Sequence, residues 1–419
     1  MNAPAPRFGE AFLFWLKLGF ISFGGPAGQI AVMHTELVDR KKWIDEDRFL
    51  HALNFCMLLP GPEATQLAIY CGWLLHRAWG GIVAGVLFVL PAAVLLWILS
   101  YVYVVHGSIP WIADVFYGLK PAVTAIVAAA VIRIGQRALK GPSMWIIAAV
   151  AFVLIYFFKV PFPLIVVGAG VMGWLMVRAP AQKTEATPNY VRRAVPGTWR
   201  RAATVLAACG VLWATPVFVL GLIDGRNGTL VREGVFFSKA AMVTFGGAYA
   251  VLPYVAQHAV EEQAWLSAPQ MLDGLGLAET TPGPLIMVVQ FVGFLGGWNH
   301  PGSLPPLTAA TLGALITTWT TFVPCFLWIF LGAPHIEQLR RITRVNAALA
   351  TVTAAVVGVV LNLGVWFGRQ TFFPGGVIDW FAVVVGALCF FALHRLRASV
   401  VWVVLGSGLL GLAWRSLAH

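Results

Sequence analysis

The sequence predicts an all-α integral membrane protein, polytopic, built from two homologous inverted repeats whose helices are broken or re-entrant. Three observations predict it. The composition is that of a chain living in lipid: of 419 residues, 59% are hydrophobic and 11% charged, with a mean hydropathy of +0.81, whereas a soluble chain carries about 25% charged residues. Apolar runs of about 20 residues, the length that spans a bilayer as a helix, recur along the whole chain. Finally, two unusual interruptions occur twice in one register. Phe23-Gly24-Gly25-Pro26 is followed by Pro60-Gly61-Pro62, and Phe245-Gly246-Gly247 by Pro282-Gly283-Pro284, each pair offset by 222 residues. Phe14 and Phe236, Lys17 and Lys239, and Trp43 and Trp265 keep the same offset. A gapless register across two such breaks marks a duplicated chain.

The elements follow in order. Met1 to Glu10 is short and polar without a cleavable signal pattern, so insertion is expected to use the first apolar segment. Apolar segments near 11–33, 49–75, 81–105, 111–132, 143–158 and 162–177 form a first repeat, residues 1–178. Residues 179–202 hold Lys183, Arg192, Arg193, Arg200 and Arg201 among Pro and Thr; they read as a linker whose charge places it in the cytoplasm. An extra span and loop occupy 203–232. The second repeat, 233–419, has segments near 234–257, 270–297, 307–332, 345–367, 376–393 and 399–414. If each repeat crosses an even number of times, the added span inverts the second, the usual design for alternating access.

Two threadings remain open. If every segment spans, loop 34–48 with Arg40, Lys41, Lys42 and Arg48 lies outside, and loop 258–269 with Glu261 and Glu262 lies inside. Both placements run against the positive-inside rule. If each broken segment instead enters and returns as a hairpin of two half-helices, both loops change sides and agree with it. Loops 133–142 and 338–344 are basic and stay inside either way.

Several function classes drop out. The net charge of +11 is no nucleic-acid footprint, because the basic residues collect in loops. Five cysteines (Cys56, Cys71, Cys209, Cys325 and Cys389) are scattered singly, with neither metal-ligand spacing nor a disulfide framework. His51, His76 and His106 show no ligand spacing either. There is no Walker motif, no Ser/His/Asp arrangement and no cofactor fingerprint. The expectation is no catalytic residue, metal, cofactor or nucleic-acid partner, and transport that is secondary. The 18 Trp fit belts at the bilayer interface.

The breaks carry the chemistry. A half-helix that starts inside the membrane points unpaired N–H groups, and the positive end of its dipole, at what lies before it: an anion site. Pro26 and Pro62 suit the first turn of such a helix. Gly24, Gly25 and Gly61 allow an anion close to the backbone. The candidate cradle comprises Ser22, Phe23, Gly24, Gly25, Pro26, Gln29, Pro60, Gly61, Pro62, Thr65 and Gln66 in the first repeat. In the second it comprises Thr244, Gly246, Gly247, Thr280, Thr281, Pro282, Gly283 and Pro284. Lys17 and Lys239 each lie six residues before a break; they offer cations to an anion or snorkel to the interface. Glu63 and Glu279 flank the Pro-Gly-Pro breaks. Either would repel an anion when ionised or carry a proton coupled to its movement, and Glu63 reads equally as a charge satisfied by a helix N-terminus. His34 and Glu36 would gate the site, an interfacial loop being the plainer reading. Lys120-Pro121 would interrupt the fourth segment.

Phe23-Gly24-Gly25-Pro26, Gln29, Met33-His34, Glu36, Trp43, Pro60-Gly61-Pro62 and Gly72 together resemble the first repeat of the chromate ion transporter family. Phe245-Gly246-Gly247, Pro253, Trp265, the run Glu279 to Pro284 and Gly293 are similar to its second repeat. The resemblance covers essentially the whole chain in the family's long, two-repeat form. It implies a multi-pass protein of the bacterial inner membrane that exports chromate and gives chromate resistance, with sulfate, another tetrahedral dianion, as competitor. The direction of transport comes from the resemblance alone. Ala248, Val251 and Leu285 stand where the first repeat has Pro26, Gln29 and Glu63, so the repeats are not expected to be equivalent. Rival readings are an importer or exchanger of sulfate or another oxyanion, and a membrane enzyme acting on lipid phosphate, for which no nucleophile or metal cluster is evident. Partners expected beyond the anion are the lipid bilayer and, left open, a second copy in a homodimer.

Overall fold

The computed structural model describes residues 6–23, 25–176, 199–333 and 343–418. Gly24, most of the 179–202 linker and residues 338–342 of the basic loop lie outside them. Among the described residues the regular elements are all helical. The first repeat gives α1 (Phe8–Ile21), α2 (Gly25–His34, continued by a π-helical turn to Arg40), α3 (Glu46–Cys56), α4 (Glu63–His106), α5 (Pro110–Ala138), α6 (Pro142–Tyr156) and α7 (Phe162–Met176). The extra span is α8 (Trp199–Ile223). The second repeat gives α9 (Thr229–Val243), α10 (Ala248–Ala256, with a π-helical turn to Glu262), α11 (Ala268–Thr280) and a 3-10 turn (Leu285–Met287) leading into α12 (Val288–Asn299). It ends with α13 (Pro306–Gly332), α14 (Thr343–Phe372), α15 (Trp380–His394) and α16 (Val400–Ala418). Six of these (α4, α5, α8, α13, α14 and α16) are long and apolar enough to cross a membrane.

All four broken segments stop helically at the glycine-proline sites. α4 is itself two helices run together, because His76 and Arg77 leave the helical region; its first half, 63–75, corresponds to α12 and its second, 78–106, to α13. Lys120-Pro121 interrupts nothing: α5 runs unbroken through it. Proline inside a helix costs one backbone bond and a clash, which a membrane helix tolerates when its neighbours re-satisfy the freed groups.

Contacts at the segment ends decide the threading in favour of hairpins. Glu10, at the start of α1, pairs with Lys41, just past α2, at 3.7 Å, and the Phe14 and Trp43 rings meet edge to face at 5.2 Å. In the second repeat Arg232 Nη1 donates to Gln263 Oε1 at 3.3 Å, and these are the positions 222 residues beyond Glu10 and Lys41. Both segments therefore return to where they began. The other two do likewise. Asn299 Nδ2, at the end of α12, donates to the Trp265 carbonyl before α11 at 2.8 Å. In the first repeat His76 Nε2 lies 2.9 Å from the Pro6 carbonyl and His34 Nε2 lies 2.6 Å from Glu46 Oε2, which roots both hairpins at one face.

The repeats are inverted. The second half of α4 runs antiparallel to α13: Gly81 faces Phe330, Gly85 faces Phe326, and Trp97 Nε1 donates to Thr311 Oγ1 at 3.2 Å. The end of α13 thus lies at the face where the first repeat's hairpins are rooted, and its start at the opposite face, where the second repeat's are. α5 is antiparallel to α14 (Val127 against Gly364, Gly135 against Val357) and to α16 (Gly118 against Ser407 and Gly411). These crossings bring Lys41, Arg137, Lys140, Arg344, Arg395 and Arg397 to one face. Glu261, Glu262 and Asp379 lie at the other, together with Lys159, Arg232, Arg369 and Arg415.

The last two helices of each repeat are exchanged: α6 and α7 pack on α14, and α15 and α16 pack on α5. α8 lies at the rim, exposing Leu206, Leu212, Phe218 and Leu222. Exposed Trp79, Trp111, Trp145, Trp199, Trp380 and Trp402 all sit at or within three residues of a helix start, the arrangement of interfacial aromatic belts. Single cysteines placed at 41 and 263 are expected to react with a membrane-impermeant maleimide from opposite sides of the membrane, in intact cells for one and everted vesicles for the other. Labelling of both from one side would disprove the inversion.

Candidate functional site

Hairpin tips form where glycine lets the chain reverse, and here the tips of one repeat meet those of the other. The Gly283 N–H donates to the Ser22 carbonyl at 2.7 Å, and the Gly61 N–H donates to the Thr244 carbonyl at 2.7 Å. Ser22 and Thr244, and Gly61 and Gly283, are pairs at the 222-residue offset, so the two bonds are copies related by the internal symmetry. Gly61 (φ +119) and Gly283 (φ +105) occupy backbone conformations that disfavour a side chain. A Cβ on Gly283 would also strike Ala92 of α4.

Four helix starts therefore converge on one buried layer: α2, α4, α10 and the 3-10 turn before α12. Their first N–H groups have no intrahelical partner, and their dipoles add positive potential. Pro62 precedes α4 as its N-cap and Pro284 precedes the 3-10 turn in the same way, while Pro26 lies inside the first turn of α2.

The side chains at this layer are not equivalent across the repeats. The Gln29 amide donates to the Gly283 carbonyl and Gln66 Nε2 to the Pro60 carbonyl at 2.7 Å; the matching positions are Val251 and Val288. Ser22, Gln29, Pro60, Gly61, Pro62, Thr65, Gln66, Thr244, Gly247, Thr281, Pro282, Gly283 and Pro284 are buried. Phe23, Gly25, Pro26, Glu63, Phe245, Gly246 and Thr280 keep some exposure. Four expected hydroxyl donors are engaged by their own helices: Ser22 by the Leu18 carbonyl, Thr244 by Ala240, Thr280 by Leu277 and Thr281 by Ala278. The Thr65 hydroxyl, by contrast, is buried without a partner, as are the Gln29 and Gln66 side-chain oxygens.

The two lysines do not join this layer. Lys17 is exposed on the face of α1 that carries Leu13 and Phe20, and Lys239 on the face of α9 that carries Val235 and Met242; both faces are apolar and outward. Long side chains on such faces keep their charge in water by snorkelling. His34 and Glu36 belong to the hairpin roots: His34 bridges Asp39 and Glu46, and Glu36 pairs with Arg40 at 2.6 Å.

Charged groups also come in from α5 and α11: Arg133 and Arg137, expected in the basic loop 133–142, lie within α5, and Asp273 is not among the residues expected from the sequence. The Glu279 carboxylate accepts from the Tyr249 hydroxyl and lies within electrostatic range of Arg133, as Glu63 does of Arg137. Asp273 of α11 accepts from the Tyr103 hydroxyl at 2.9 Å and lies 4.0 Å from Lys120 Nζ. Asp273 is an acid in mid-segment, which is a legible signal by itself; its partners, on α4 and α5, are not. On the face opposite the basic loops a cavity of about 280 Å³ opens between α10, α14 and the α6–α7 turn, with Lys159, Gln257, Glu261, Asn362 and Arg369 in its wall.

A family model described as Chromate transporter matches residues 9–174 and 233–412. The chain belongs to the chromate transporter family. Relatives in that family include a chromate transport protein of Cupriavidus metallidurans, 30% identical over 421 residues, covering 100% of this chain and 96% of that one. Another, from Pseudomonas aeruginosa, is 31% identical over 415 residues, 97% of this chain and 92% of its own. An uncharacterized transporter of Bacillus subtilis is 31% identical over 143 residues, 34% of this chain but 71% of that protein. No solved structure matches. These relatives are named as transport proteins, and this family member is a multi-pass membrane transporter, not an enzyme.

Gly283→Ala is expected to destabilise the fold by about 1–3 kcal/mol, the cost of a side chain in a disfavoured backbone region, with the clash at Ala92 added. Gly168→Ala, exposed in mid-helix with open space at its Cβ position, should not destabilise. Thermal unfolding of the purified proteins in detergent measures both; equal melting temperatures would show that the tip tolerates a side chain.

Proposed function

We propose that this family member exports chromate, a tetrahedral dianion, from the bacterial cytoplasm across the inner membrane, that this gives chromate resistance, and that sulfate competes. The observation that carries the proposal is the convergence of four helix starts, two from each inverted repeat, on one buried layer where their tips interlock. A dianion with no apolar handle needs such a cradle of backbone donors, and opposed repeats around a shared layer are the geometry of alternating access. The curated relatives' names, chromate transport protein, supply the anion.

The basic face is the cytoplasmic one by the positive-inside rule. Arg133 and Arg137 then sit on the cytoplasmic half of α5, where they draw a dianion toward the tips. In the cradle the candidates for direct contact are Thr65, the side-chain amides of Gln29 and Gln66 after reorientation, and the free N–H groups at the starts of α2, α4 and α10. Glu63 and Glu279 lie within electrostatic range of Arg137 and Arg133 and temper that field in the absence of substrate. An inside-negative potential favours the exit of anions by about 2.3 kcal/mol per charge per 100 mV, so export needs no nucleotide.

Everted membrane vesicles containing the protein are expected to accumulate chromate, with accumulation lost when the potential is collapsed and inhibited by excess sulfate. Gln29→Leu, which leaves the Gly283 carbonyl unpaired, should lower the rate about tenfold, as a loss of roughly 1.4 kcal/mol would. Sulfate entry into right-side-out vesicles without chromate accumulation in everted ones would refute export and leave an oxyanion importer.

A further inference from the structure

Glu233, in the second turn of α9, has no exposed surface, and neither of its carboxyl oxygens has a hydrogen-bond partner. Room for the carboxyl group is made by two glycines, Gly296 of α12 and Gly313 of α13: a Cβ at either position would run into it, and the Trp265 ring packs beside Gly296. Neither α12 nor α13 contains a charged residue, nor does α10. On α9 itself, Arg232 is turned away toward Gln263 and Lys239 is exposed. In the turn after α10, His258 is bonded to Glu262 at 2.6 Å. The basic residues of α8, Arg200 and Arg201, are at its far end. Among the described residues, the ionisable group within electrostatic range of Glu233 is another acid, Asp224. Asp224 is partly exposed in the α8–α9 turn, where its Oδ2 accepts from the Leu230 N–H at 3.3 Å.

An ionised carboxylate in such a place costs several kcal/mol, with no cation or donor to offset it. A carboxylic acid there costs far less, since only polar atoms and no charge are taken from water. Glu233 can ionise only when α9 parts from α12 and α13 and water enters beside the glycines. α9 is the outer arm of the hairpin whose tip carries Thr244 and Gly246, so a displacement of α9 that hydrates this carboxyl would carry that tip with it. The counterpart of Glu233 in the first repeat is Ala11. The device therefore exists at one face alone, the face opposite the basic loops.

We propose that Glu233 is a proton-binding site, loaded in the closed arrangement of α9, α12 and α13 and emptied toward Asp224 and the outer aqueous phase when that arrangement opens. The step is a single transfer: the carboxyl O–H bond breaks, the carboxylate remains on the protein, and the proton passes to water. The coupling of this step to anion movement rests on the transport reading above; the presence of the proton does not.

The test has two arms on the full-length protein. In the first, infrared spectra of wild type and Glu233→Gln are recorded at neutral pH. A protonated-carboxyl C=O band present in wild type and missing from the variant is expected, and Glu233→Asp should shift that band rather than remove it. No missing band overturns the proposal. In the second, both proteins are reconstituted into vesicles at zero membrane potential. The wild-type chromate flux is expected to respond to an imposed pH gradient, and Glu233→Gln to lose that response; a response that persists in the variant also overturns it. Gel filtration confirms that the variants are folded, and failure of Glu233→Gln to fold leaves the Glu233→Asp band shift to decide. If chromate does not move at all, the infrared arm still decides the proton site, so failure of the transport reading and failure of this site are told apart.

Discussion

Two backbone hydrogen bonds, from Gly61 to Thr244 and from Gly283 to Ser22, hold the structure together at its centre. A hairpin tip within a bilayer leaves N–H and C=O groups with no helical partner and no water, at a cost of several kcal/mol each. Neither repeat closes these groups alone. Each tip takes its partner from the other repeat, which is why the repeats must be opposed and must interdigitate. The same requirement explains the outer helices: with α6 and α7 on α14, and α15 and α16 on α5, each repeat clasps the other from outside as well as at the core.

Glycine at the tips lets the backbones approach and reverse, and the crossed bonds are set in an apolar core to which both repeats contribute. A transporter needs two arrangements of comparable energy, and symmetry supplies them, because exchanging the roles of the repeats converts one into the other. The side chains then break that symmetry. Gln29 and Gln66 belong to the first repeat; Tyr249, Glu279 and Glu233 belong to the second, opposite Ala27, Met57 and Ala11. Donors thus gather on the tips rooted at the basic face, and buried acids on the elements rooted at the other.

Much of the architecture was legible before any coordinates. Helix breaking is a local property of glycine and proline, so the broken segments and their pairing at a fixed offset could be read directly. The charges of loops 34–48 and 258–269 already favoured hairpins, and the contact between Glu10 and Lys41 bears that out. A charge or proline within an apolar run does not by itself reveal what it meets in three dimensions. Lys17 and Lys239 keep their register but face outward, and Lys120-Pro121 lies in an unbroken helix whose lysine instead approaches Asp273. Glu233 stands at the very edge of an apolar segment, where an acid reads as part of a loop.

The sequence by itself determined that the chain is a duplicated, polytopic helical membrane protein, where its helices break, and which family it resembles. These follow from composition, segment length and residue identity, all of which act over a few turns of chain. Only the tertiary structure decided that the tips interlock across the repeats, that Thr65 is left without a partner while its neighbours are tied to carbonyls, and that an acid at 233 is enclosed by glycines. Those outcomes depend on contacts between residues far apart in the chain. Lipid offers backbone groups no alternative partner, so the folded chain has to supply one, and which one it supplies is settled by packing.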